Sequence, residues 1–169
     1  MSQPEFWMRG VRVDGIGDAL QPVAHALLQA MEDLEAAASG LSTEELWARP
    51  GGAAAAGFHI RHLAGSLDRL TTYARGEPLT DAQLAFLRAE QEPGASAGEL
   101  LAHARATIDR ALDQLRATPD ASLDEPRGVG RKQLPSSVRG LLYHAGEHTS
   151  RHTGQVVTTA KIVRGLAGG

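Results

Sequence analysis

Apolar residues recur three and four positions apart along four stretches of this chain, and that spacing restricts its fold more than any other feature. From Leu20 the first stripe runs through Val23, Ala24, Leu27, Leu28, Met31, Leu34 and Ala38, the period of a helix with one buried face. Gly40 ends it. A second long helix is expected from about Phe58 to Ala74, striped by Ile60, Leu63, Leu67, Leu70 and Ala74, with Gly76 and Pro78 beyond its end. Ser96 and Glu99 form a capping-box pattern that opens a third helix through Leu100, Leu101, Ala104, Ile108, Ala111, Leu112 and Leu115, limited by Pro119. The last helix begins near Ser136 or Ser137 and continues for about thirty residues.

The stretches between are short or polar. Ser42 with Glu45 caps a brief turn through Trp47, closed by Pro50, Gly51 and Gly52; a minor helix covers Asp81 to Glu90; Pro93 and Gly94 break the chain again. Residues 1–15 read as an N-terminal extension and 119–135 as a long loop before the last helix, either a lid or a crossover. With no internal repeat and no hairpin signal, the simplest way to bury four amphipathic faces is an all-α four-helix bundle with short connecting helices. A chain of 169 residues suits one such domain over 1–169.

Composition removes several function classes. The chain has no cysteine, which excludes disulfides, thiolate ligands and a cysteine nucleophile, and is consistent with a cytoplasmic protein. Any thiol chemistry would need an external thiol. A formal charge of −3 gives no field to attract a phosphate backbone, so no nucleic-acid partner is expected. Neither a leader nor a membrane-spanning stretch is apparent, so no membrane partner is expected.

The histidines carry the chemistry. Of the seven, His144, His148 and His152 stand at successive four-residue steps on the last helix, a spacing that stacks side chains along one flank. The apolar sector of that helix holds Val138, Leu141, Leu142, Ala145, Val156, Ala160 and Val163, and His148 and His152 fall inside it. A core-facing imidazole needs a partner for each ring nitrogen, and two of them one turn apart can reach a single ion. Because a four-residue step drifts by about 40° and rises roughly 6 Å, His144, nearer the sector's edge, suits contact with a ligand better than ligation. A third ligand must come from a facing helix, and the second supplies His59 and His62. His59 lies closer to the leucine stripe, whereas His62 begins a polar stripe with Ser66, Arg69 and Tyr73; spacing alone leaves the choice open.

Two segments carry a resemblance: Gly57-Phe58-His59-Ile60-Arg61-His62-Leu63-Ala64-Gly65-Ser66-Leu67-Asp68-Arg69-Leu70, and His144-Ala145-Gly146-Glu147-His148-Thr149-Ser150-Arg151-His152-Thr153-Gly154-Gln155. Together they resemble the DinB-like superfamily, which includes the YfiT-type metal-dependent hydrolases. In that family a histidine followed by leucine on the second helix joins two histidines four apart on the last, the later one shortly before a Gly-Gln pair. The matching positions are His62, His148 and His152, which favours His62 over His59. The resemblance implies a four-helix bundle, one divalent ion such as zinc or nickel with an open coordination position, frequent homodimers, and in some members thiol-dependent transferase or isomerase activity.

Three neutral nitrogen ligands and one open position make a catalytic type of metal site rather than a structural one. An ion so held activates a bound water or a low-molecular-weight thiol for attack on a small-molecule substrate. His59, His144, Glu147, Gln155, Arg69 and Tyr73, with Ser66 and Arg151, are candidates to steady a ligand histidine or orient a substrate, although for the charged ones a solvated salt bridge is an equally good reading. No catalytic residue is assigned. Three other readings compete. His144 to His148 fits the H-x-x-E-H pattern of inverted zinc proteases, which leaves His152 unexplained. A di-iron bundle needs Glu-x-x-His pairs, and the chain has none. The third alternative is a non-enzymatic stress-response or binding module whose metal site is structural or vestigial.

Overall fold

A computed structural model describes residues 3–167 of the chain. Its long helices are α1 (Gln21–Ala38), α3 (Ala56–Ala74), α5 (Ala97–Ala117) and α6 (Val138–Ala167), with shorter α2 (Thr43–Trp47) and α4 (Asp81–Arg88) between them. The four long helices are the four periodic stripes, so the bundle follows from where the apolar faces lie. The capping boxes at Ser42 with Glu45 and Ser96 with Glu99 both form, and Thr80 with Gln83 makes a third at the start of α4, each satisfying backbone donors that a helix start leaves free.

Each long helix touches two others: α6 packs against α1 and α3, and α5 packs against the same two from the opposite side. Directions follow from paired contacts. His59 and His62 on α3 meet His152 and His148 on α6 in reverse order, so those helices are antiparallel. Asp68 lies beside Arg110, and Thr71 accepts from Gln114, so α3 and α5 run parallel. Along α1 and α6, Val23 meets Gly146 and the Asp33 turn meets Lys161, again parallel. The order is up, down, down, up. Between them the helices enclose a core in which Leu20, Leu27, Leu34, Ile60, Leu63, Leu67, Ile108, Leu115, Leu142 and Val156 are all but sealed from solvent.

The parallel pair α3 and α5 requires the chain to travel back the length of α3 between them. α4 and the turn after it make that return journey, fastened to α3 by hydrogen bonds from Gln83 to Asp68 and Thr72. At the other end, residues before α1 run back along it: Phe6 donates its backbone N–H to Gln29, Arg9 pairs with Glu32, and Gln21 holds the backbone of Val13 and Ile16.

The long loop expected over 119–135 contains regular structure of its own. A short 3-10 turn at Asp120–Ser122 leads into an antiparallel hairpin of β1 (Pro126–Val129) and β2 (Leu134–Ser137), which runs directly into α6. Its strands are four residues long, each contains a proline, and neither alternates polar with apolar residues, so the usual hairpin signal is missing. Pairing is instead supported from outside: Arg127 Nε donates to Ala74 O at 2.8 Å, the backbone N–H groups of Val138 and Arg139 donate to Glu125 O and Leu123 O, and Leu123 is buried.

Gly57, the second residue of α3, allows α2 to approach. A Cβ there would stand 2.8 Å from the Trp47 ring, which is held by its indole N–H on Ala95 O at 2.8 Å and by the Arg61 guanidinium over its face. Gly57→Ala gains little helix propensity at a helix end and forces overpacking, which costs about 1–3 kcal/mol. The expected outcome is a net loss of about 1–2 kcal/mol in urea denaturation, where a helix-interior glycine replaced in open space would gain stability.

Candidate metal centre

The antiparallel contact of α3 with α6 brings three imidazoles together. Ring centroids of His62 and His152 are 4.5 Å apart, those of His148 and His152 4.5 Å, and those of His62 and His148 5.1 Å. One nitrogen from each lies within 4.8 Å of those of the other two, and all three residues are half-buried. Nitrogens bound to one ion at about 2.1 Å stand roughly 3.4 Å apart in tetrahedral geometry, a contraction within reach of small ring rotations. The cluster is capable of coordinating a divalent metal ion. Small side chains on the buried face of α6 make room for it: Thr149 and Thr153 lie beside the two histidines, fully satisfied by donating their hydroxyls to Ala145 O and Thr149 O.

The other ring nitrogens fit that role. His62 Nδ1 is 2.7 Å from Glu90 Oε2, which leaves its Nε2 available. His152 Nδ1 is 2.9 Å from His59 Nδ1, so its Nε2 is likewise available. His148 Nδ1 is buried with no hydrogen-bond partner, a deficit worth about 1–3 kcal/mol and one that a metal bound at this nitrogen would relieve. Burial, followed by the proximity of His62, pushes His148 and His152 down to about 4, and burial lowers His59 as well. Imidazoles held neutral near pH 7 have the lone pairs that a metal needs.

The remaining candidates are dispersed. His59 is buried against His152. His144 is exposed, its Nδ1 3.1 Å from Glu147 Oε2, while Glu147 also pairs with Arg151; the Glu147 carboxylate is thus occupied at the surface, which disfavours the inverted-protease arrangement. Gln155 is exposed. Tyr73 lines a cavity of about 450 Å³ with the hairpin residues Gly128 and Gly130, three turns along α3 from His62. Arg69 is buried and directed at Glu90, 2.7 Å away.

Glu90 is the residue that sequence reading missed. It belongs to the turn after α4, is 3% exposed, and joins His62 to Arg69 through its two oxygens. The only trace in the sequence is on α3, where Arg61, Gly65 and Arg69 recur at four-residue steps, a small residue between two cations on one face.

A helical bundle with three convergent imidazoles on facing helices defines a class of metal-capable bundle proteins. Comparison with protein families matches residues 26–156 to the DinB superfamily, and the chain belongs to that superfamily. A crystal structure described as a conserved protein of locus from Enterococcus faecalis superposes with a TM-score of 0.70 at 19% identity, covering 92% of this chain and 99% of that one; this likeness establishes the fold. No curated protein sequence matches the chain. Among the described residues no helix is long and apolar enough to cross a membrane.

The lowered histidines set a pH dependence for the metal-free protein. Folded pKa values of about 4, against 6.5 for the free side chain, mean that the unfolded chain binds more protons in that interval, so stability rises with pH and is lost as pH is lowered through it. The thermal midpoint of the metal-free protein should drop as pH is lowered from about 6.5 towards 4. The drop should be smaller in the His148→Gln/His152→Gln double variant; equal slopes in the two proteins would refute the assignment.

Proposed function

We propose that this DinB-superfamily chain is a metal-dependent enzyme in which His62, His148 and His152 hold one divalent ion that activates a nucleophile, making it a hydrolase or a small-molecule-thiol-dependent S-transferase. The observation that carries the reading is the donor set: three imidazoles converge, and among the described residues no fourth histidine or carboxylate joins the group. Three nitrogen ligands with a free position are the mark of catalytic zinc sites, whereas structural sites close the fourth. Bound there, the ion would supply Lewis acidity, bringing a water or thiol into its nucleophilic form near neutral pH. In a chain without cysteine the thiol would be a co-substrate. The reading includes zinc or nickel as the occupant and a homodimer, as the family resemblance implies, together with a small-molecule substrate and the cytoplasmic location with which a cysteine-free chain is consistent.

The chain's own residues divide the remaining work. His59 supports His152 through Nδ1, and the face of Phe58 stacks on His62 at an interplanar angle of 16°, shielding that ring on one side. On the exposed side of α6, His144 and Arg151 both pair with Glu147, and in this reading these polar groups orient the substrate.

Elemental analysis of the purified protein beside His62→Ala, His148→Ala and His152→Ala, each checked for folding by circular dichroism, tests this directly. About one equivalent of metal in the parent protein and its loss from each folded variant is the expected result, and hydrolase and thiol-transfer screens on the loaded protein then separate the two chemistries. A folded parent protein that takes up no zinc or nickel, or variants that retain it, would shift the assignment to a non-enzymatic binding module.

A further inference from the structure

The segment that returns along α3 is held more firmly than a connection requires. Arg61 donates to the carbonyl oxygens of Ala89 at 2.9 Å and Glu92 at 2.5 Å, bracketing Glu90. One turn on, Gly65 offers a bare backbone into which Phe86 and Glu90 pack; a Cβ there would stand 2.7 Å from each. A further turn on, the buried Arg69 guanidinium donates to Glu90 Oε1 at 2.7 Å. Three consecutive turns of one helix therefore fix a single carboxylate. Burying an ion pair seldom stabilises a fold by itself, because desolvation offsets the attraction, so its placement calls for another reason.

The partner of the second oxygen supplies it. A carboxylate only accepts hydrogen bonds, so Oε2 at 2.7 Å from His62 Nδ1 requires the proton on Nδ1 and directs the lone pair to Nε2. We propose that Glu90 is a positioning residue of the metal centre, which fixes the tautomer and ring orientation of His62 and raises its basicity as a ligand, with Arg61, Gly65 and Arg69 serving to deliver it. The inference rests on His62 being a metal ligand, as in the functional reading above. A carboxylate behind a ligand histidine is a general device for tuning a metal site, and its loss weakens metal binding by about 10–100-fold.

Removing Glu90 alone would leave Arg69 buried without its partner, so the test uses paired substitutions. Zinc affinity by chelator competition, and long-range nitrogen–proton NMR of the histidine rings in zinc-loaded protein, are compared for the parent, Glu90→Gln/Arg69→Met and Glu90→Ala/Arg69→Met, with folding checked by circular dichroism. The Gln variant keeps an oxygen that accepts from His62 and should retain the Nδ1–H tautomer with most of the affinity. The Ala variant should bind zinc about 10–100-fold more weakly and lose the fixed tautomer. Parent-like affinity and tautomer in the Ala variant overturn the inference while leaving the metal site standing. Equal weakening in both variants also overturns it, since a purely structural role makes no distinction between them. A parent protein that binds no zinc overturns both.

Discussion

The bundle depends on the seam where α3 and α6 cross in opposite directions. Ile60, Leu63 and Leu67 from one helix and Leu141, Leu142, Ala145 and Val156 from the other are buried in the same core, and burial of such side chains contributes roughly 1.5–3 kcal/mol each. The three imidazoles occupy the edge of this seam, where apolar packing gives way to solvent. Their position explains both of their properties. Enough surface is covered to lower the pKa values of His148 and His152, while all three rings stay half-buried rather than sealed in the core.

How far the sequence discloses this arrangement depends on what kind of pattern each part follows. The long helices are legible because one-sided burial imposes a period of 3.6, and their ends because Gly76, Pro119 and the Ser96 cap act locally. The histidine cluster is legible for the same reason: His148 and His152 stand on an apolar face where polar rings need an explanation. The choice of His62 over His59 is not carried by periodicity, since both lie on the helix that faces α6. In the structure both reach α6, but only His62 joins the cluster of three, while His59 makes a hydrogen bond to the back of His152.

What stays hidden is what depends on tertiary contact. Glu90 looks like the end of a minor helix, and nothing in its own segment marks this carboxylate for burial; its environment is created by Arg61, Gly65 and Arg69 from another segment. The hairpin of β1 and β2 is similar, short and proline-bearing, and supported by Arg127 on the end of α3 and by the buried Leu123. Tyr73, which shares a sequence stripe with His62, is carried by the length of α3 to the hairpin end of the molecule. A stripe on one helix extends through several environments, and only its neighbours divide it.

The two halves of the histidine cluster come from opposite halves of the chain, and this bears on how the protein is made. Until α6 (Val138–Ala167) has left the ribosome, the 137 residues before it supply only one of the three clustered rings, His62. The cluster exists only once this long connection has been closed, so an ion held by all three rings would follow assembly of the bundle rather than guide it. Metal content would then be a record of completed folding: a chain truncated or stalled before α6 lacks two of the three rings, and a loaded molecule would be one whose two distant segments have already met.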